Sequence, residues 1–101
     1  MKFLKYQGTH LMAEYRLSNT AKEDLIRIHH YGIHKFGQLQ ADRYFNIFFE
    51  YFEIIAERPF AFESVDYIKP GYRRCVCGLD SIFYRTENDI VEIWRSSVGR
   101  I

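Results

Sequence analysis

Residues 81–96 read Ser81-Ile82-Phe83-Tyr84-Arg85-Thr86-Glu87-Asn88-Asp89-Ile90-Val91-Glu92-Ile93-Trp94-Arg95-Ser96. β-Branched and aromatic residues alternate with polar ones on both sides of Asn88-Asp89. That pair tolerates the left-handed backbone of a two-residue hairpin turn. Two antiparallel strands, 81–87 and 90–96, are therefore expected. The loop length sets Glu87 against Ile90, Arg85 against Glu92 and Phe83 against Trp94. One face then collects Ile82, Tyr84, Thr86, Val91, Ile93 and Arg95; being the more continuously apolar, it should lie under whatever packs on the sheet. The other face carries Phe83 beside Trp94 and Arg85 beside Glu92, and should point to solvent. An exposed Phe/Trp pair suggests a partner surface.

Upstream, the Pro70-Gly71 turn signal introduces a third strand at 72–77. Cys75 and Cys77 sit two apart, so both thiols share a strand face. This suits small apolar fillers in a reducing compartment, not a mutual disulfide or the CxxC spacing of zinc and redox sites. Two helices precede these strands. Ser18-Asn19-Thr20 offers N-caps, Glu23 and Asp24 suit the positive end of a helix dipole, and Ala21, Leu25, Ile28, Gly32 and Phe36 form a stripe that Gly37 stops. From about Gln38 to Glu57 a second stripe of Ala41, Tyr44, Phe45, Phe48, Phe52, Ile55 and Ala56 ends at Arg58-Pro59. The short Gly37 junction makes the pair a helical hairpin. A strand over 14–18 opens the pattern, with Tyr15 and Leu17 on one face. The expected fold is α+β: an N-terminal strand, an antiparallel two-helix hairpin, then a three-stranded antiparallel sheet.

The chain has 101 residues, 14 Lys+Arg against 13 Asp+Glu, and is 48% hydrophobic and 18% aromatic. That is one domain with a sizeable core. Its charge is too balanced for a strong polyanion binder, so no direct specific nucleic-acid binding is expected. No apolar run approaches the roughly 20 residues that span a bilayer. Phe3-Leu4, broken by Lys5, is too short for a signal peptide, so a cytoplasmic location is expected. Residues 1–11 read as an extension, with Met12 as an alternative start, and residues 12–101 as the domain.

Catalytic signals are weak. There is no phosphate-binding Gly-rich loop, GxSxG or HExxH. His30 and His34 would share a helix face, but a metal needs a third ligand that neither Asp24 nor Asp42 obviously supplies. No metal or cofactor is expected. Arg73, Arg74, Arg85 and Arg95 concentrate on the strands, either as dispersed ion pairs or as phosphate grips. Glu92 reads as the partner of Arg85, and no histidine follows His34, so a general base is missing and no catalytic residue is assigned. Beyond its stripe the second helix carries Ile47, Phe49, Tyr51 and Ile54. Either the stripe is wide or the remainder meets another protein; Phe49, Tyr51 and Ile54 are the candidates for such a contact.

Tyr15-Arg16-Leu17-Ser18 followed by Ala21-Lys22-Glu23-Asp24-Leu25 resembles the opening of the ParE toxins of the RelE/ParE superfamily. So do Tyr31, Phe36-Gly37, Gln40-Ala41, Tyr44 and Ala56-Glu57-Arg58-Pro59. Pro70-Gly71-Tyr72-Arg73-Arg74, Ile82-Phe83-Tyr84-Arg85 and Val91-Glu92-Ile93-Trp94-Arg95 complete a resemblance that covers about residues 12–96. It implies the toxin of a type II toxin–antitoxin module, the kind that stabilises plasmids. Such a toxin poisons DNA gyrase by trapping its cleaved-DNA complex, is not itself an enzyme, and is neutralised by a ParD-like antitoxin whose disordered tail folds along it. Phe83, Arg85, Trp94, Arg95 and Arg100 would form the target-binding surface. The alternative is a ribosome-dependent mRNA endonuclease of the sibling RelE type, since fold alone does not fix function. One departure stands out: relatives commonly close with an Arg-apolar-apolar-His run and a basic tail. This chain instead reads Arg95-Ser96-Ser97-Val98-Gly99-Arg100-Ile101 there.

Overall fold

The hairpin at the centre of the sequence forms as its turn residues require. In a computed structural model, which describes residues 14–98, Asn88 and Asp89 both adopt positive φ (54° and 66°), joining β4 (Asp80–Glu87) to β5 (Ile90–Val98). Upstream lie β1 (Tyr15–Leu17), α1 (Asn19–Phe36), α2 (Gln38–Glu57), β2 (Glu63–Ser64) and β3 (Arg73–Cys77). The extension at 1–11, the alternative start at Met12 and the tail residue Arg100 lie outside the described residues.

The sheet corrects the expected architecture. It is five-stranded and mixed, in the order β1-β5-β4-β3-β2. β1 joins β5 in parallel, Tyr15 opposite Val91 and Leu17 opposite Ile93, while the other pairs are antiparallel. The expected three strands are the middle of this sheet. Parallel pairing of the N-terminal strand needs the whole helical hairpin as its crossover, a long-range contact that alternation within 14–18 does not record. β2 has two exposed residues and no alternation to read; it is held as an edge by Glu63 opposite Arg74 and Ser64 opposite Arg73.

Ser18 ties helix to sheet. Its hydroxyl accepts from the Ala21 N–H (3.0 Å) as the α1 N-cap and donates to the Trp94 carbonyl (2.6 Å), while its backbone N–H bonds the Ile93 carbonyl (3.0 Å). Gly37, at φ 91° and ψ 164°, separates the helices in a region open essentially only to glycine. The core lies between the hairpin and one sheet face: Leu25, Ile28, Phe48, Phe52 and Ile55 from the helices against Tyr15, Leu17, Cys75, Cys77, Ile82, Tyr84, Val91 and Ile93. Burying each large side chain contributes about 1.5–3 kcal/mol. Both cysteines are free and inside, with Val76 between them exposed, as their spacing requires. Burial pushes their pKa values up, to about 11 for Cys75 and about 12 for Cys77.

The face assignment holds for Ile82, Tyr84, Val91 and Ile93, and Arg85 lies opposite Glu92 and Glu87 opposite Ile90 as expected, but the register fails at Phe83 and Trp94. A bulge at Trp94 shifts the register, so Tyr84 faces Ile93 while Phe83 faces Arg95, not Trp94. Phe83 is also fully buried, not solvent-facing. Trp94 packs edge-on against it (6.2 Å between centroids), Tyr72 packs against Trp94 (5.2 Å), and the Lys69 ammonium lies over the rings of Trp94 (5.0 Å) and Tyr72 (5.3 Å). The second face of the sheet is thus partly covered by the segment between α2 and β3.

Candidate functional site

The open part of that second face is built by β1, β4 and β5. Arg85 on β4 donates through Nε to Glu92 Oε1 (2.9 Å) and pairs with Glu87 (2.7 Å), while Arg16 on β1 pairs with Glu92 from the other side. Partial burial alone would raise the Glu92 pKa, but the hydrogen bonds from Arg16 and Arg85 outweigh it and hold the carboxyl below its usual range. A carboxylate clamped between two guanidiniums is a poor proton acceptor. The adjoining cleft, of about 210 Å³, is lined by Arg16, Arg85 and Glu92 together with Leu17, Ser18, Tyr72 and Trp94. Half-buried Trp94, backed by Phe83, is the large rigid side chain this face presents.

The other expected target residues scatter. Arg95 reaches Asp24 on α1 (3.4 Å), and Arg100 lies outside the described residues. Arg73 donates to the Phe62 carbonyl (2.7 Å) and lies over the Phe60 ring, and Arg74 pairs with Glu63 (3.2 Å), so both brace the edge of the sheet. Asp24 does not serve the helix dipole. It is buried and accepts the Ser96 N–H (2.9 Å) as well as Arg27 (3.0 Å). His30 and His34 stay exposed, whereas His29 meets Asp42 across the hairpin at 2.7 Å, a bond that lowers the Asp42 pKa. Among the described residues no three His, Cys, Asp or Glu side chains are grouped to hold a metal.

A second, wider concavity lies on the helical hairpin, away from the residues expected to meet a partner. A groove of about 1030 Å³ opens between the C-terminal half of α1, the N-terminal half of α2 and the β3–β4 turn. Its walls include Tyr31, Phe36 and Leu79, which are 61%, 56% and 82% exposed, together with Ile28 and Ile47. Arg27 and Arg43 line it as cations, and Asp80 as an anion. Gly78 lets the turn approach α2: at φ 61°, a Cβ there would stand 2.7 Å from the Tyr44 ring. The Tyr44 hydroxyl accordingly reaches the Cys77 carbonyl (2.8 Å) and Asp80 Oδ2 (2.9 Å). Burial first, then Asp80, pushes its pKa far up, so it remains a donor.

Of the side chains expected to meet an antitoxin, none lines this groove. Phe49 packs on Phe45 and Phe52, Tyr51 is half-buried against the core, and Ile54 is 45% exposed. The overlooked signal was Leu79, a large apolar residue in a turn, whereas Phe36, expected in the stripe of the first helix, stands exposed on the groove wall at that helix's last turn.

Residues 15–96 match the family model described as "ParE toxin of type II toxin-antitoxin system, parDE". A curated relative, "Toxin ParE1" of Caulobacter vibrioides, is 39% identical over 74 residues, 73% of this chain and 77% of its own. The solved structure "Chromosomal ParDE TA system from P. aeruginosa" superposes with a TM-score of 0.77 at 16% identity, covering 88% of this chain and 98% of that one, and so speaks to the fold.

Proposed function

Since the chain belongs to the ParE family of type II toxin–antitoxin toxins, we propose that it poisons DNA gyrase without catalysis and that a ParD-like antitoxin neutralises it by docking along the helical hairpin. The observation that carries the docking reading is the groove: Tyr31, Phe36, Ile47 and Leu79 leave a wide apolar surface open, flanked by Arg27 and Arg43. Such a surface fits an amphipathic helix with an apolar stripe and acidic flanks. The gyrase contact is assigned to Trp94 and Arg85 on the opposite sheet face. Phe83 supports Trp94 from beneath, and Arg95 is engaged by Asp24. Acting on gyrase places the protein in the cytoplasm, and no described helix is long and apolar enough to cross a membrane.

An endonuclease reading is less well supported on the same face, because Glu92 is held ionised and Arg16 and Arg85 are already paired with it. Cleavage would ask these groups to exchange protons and grip phosphates. The test is direct. With gyrase, supercoiled plasmid and ATP, the purified toxin should accumulate linear DNA, and antitoxin should abolish the effect. Normal supercoiling at micromolar toxin, together with mRNA cleavage on translating ribosomes, would overturn the reading.

A further inference from the structure

The groove holds one group that a purely apolar occupant would leave unserved. Asp80 opens β4 and is only 5% exposed. Its Oδ2 and the Cys77 carbonyl compete for the single proton of the Tyr44 hydroxyl. Its Oδ1 is buried with no hydrogen-bond partner among the described residues. A carboxylate offers about four acceptor positions, and a buried one is stable only when paired. The two cations lining the groove do not serve it. Arg27 is bonded to Asp24 and the Ser96 carbonyl, and Arg43 stays exposed.

We propose that the antitoxin segment filling this groove carries one Lys or Arg within its apolar surface, and that this side chain donates to the Asp80 carboxylate, which lines the groove. The inference rests on the docking reading above and adds the chemistry of the contact. A long basic side chain can lay its aliphatic stem along Leu79 and Tyr44 while its charged end reaches the carboxylate. Arg27 and Arg43 at the walls ask for the opposite charge on the flanks of the same helix. The groove thus sets two charge requirements on its occupant beside the apolar contact: acids for Arg27 and Arg43, and one cation for Asp80. This makes Asp80 a specificity residue, because an antitoxin without that cation would seal a buried carboxylate without a donor.

The experiment is a double-mutant cycle on the complex with the cognate antitoxin. Asp80→Asn in the toxin should weaken binding roughly 30-fold or more, the scale of losing one partner of a buried charge pair. Replacing the antitoxin's Lys and Arg residues by Met, one at a time on wild-type toxin, should expose one position with a matching loss. That loss should vanish in the Asp80→Asn background. Because the antitoxin variants leave the toxin intact, misfolding cannot imitate the result. If every such substitution is additive with Asp80→Asn, the inference is wrong. It is equally wrong if Asp80→Asn couples instead to Arg100→Met in the thermal midpoint of the toxin alone, for then the chain serves its own carboxylate. Leu79→Asp separates the two layers: loss of binding without any Asp80 coupling removes only the cation, whereas unchanged binding removes the docking site as well.

Discussion

Phe83 and Trp94 touch, yet they serve different ends. Phe83 is fully buried between the strands and the Trp94 ring, so its removal leaves a cavity. Phe83→Ala should cost about 3–5 kcal/mol in urea unfolding, because a well-packed site collapses only partly. Trp94 keeps part of its ring in solvent with Lys69 over it. Trp94→Ala should abolish gyrase poisoning in the plasmid-linearisation assay while shifting the urea midpoint much less than Phe83→Ala does. Full potency in Trp94→Ala would move the target contact off this face. The two rings do touch, but through the bulge at Trp94 and not through the direct pairing expected from the loop length. The sequence misjudged their exposure because a strand's alternation reports two faces but not whether a later segment covers the second.

Between elements, the decisive contact is a carboxylate that looks ordinary in the sequence. Asp24 on α1 takes the backbone N–H of Ser96 and the guanidiniums of Arg27 and Arg95, fastening the helix to β5 beyond the point where β1 ends. Its position near a helix start suggests a dipole role, but the residue faces inward. Asp24→Ala would strand a buried N–H and loosen two arginines. A loss of about 2–3 kcal/mol is expected by thermal or urea denaturation. A change below half a kcal/mol would show that water replaces the carboxylate without cost.

For the whole molecule, the ionisable groups set stability limits on both sides of neutrality. Glu92, Asp42 and Asp66 have folded pKa values below their ordinary ones, through Arg16 and Arg85, through His29, and through the Gly71 N–H respectively. The unfolded chain therefore binds protons first as pH falls. Stability from these groups is complete above the ordinary carboxylate range and is lost as pH drops through it toward the folded values. Cys75, Cys77, Tyr15 and Tyr84 are displaced the other way by burial, to about 11, 12, 12 and 12. Their contribution is full below the ordinary thiol and phenol values and is lost as pH rises through the folded ones. Thermal midpoints should form a plateau near neutrality, falling below pH about 4.5 and again above about 9. Glu92→Gln should flatten the acid limb; an unchanged limb would show that the Arg16–Glu92–Arg85 cluster does not contribute to it.

The sequence alone determined whatever depends on neighbours in the chain. A cap within Ser18-Asn19-Thr20, Gly37 between two helices, Pro59 beyond the second, the Asn88-Asp89 turn and the paired cysteines on one strand face are all local, because backbone angles and side-chain periodicity are set within a few residues. Tertiary structure decided what depends on distant partners. It brought β1 beside β5 across the helical hairpin, moved Phe83 opposite Arg95 through a bulge at Trp94, and gathered Tyr31, Phe36, Tyr44, Leu79 and Asp80 around one groove. Those residues span some fifty positions of sequence with no shared period. Only the close approach of Tyr44 to Gly78 brings the turn's buried carboxylate within reach of the hairpin.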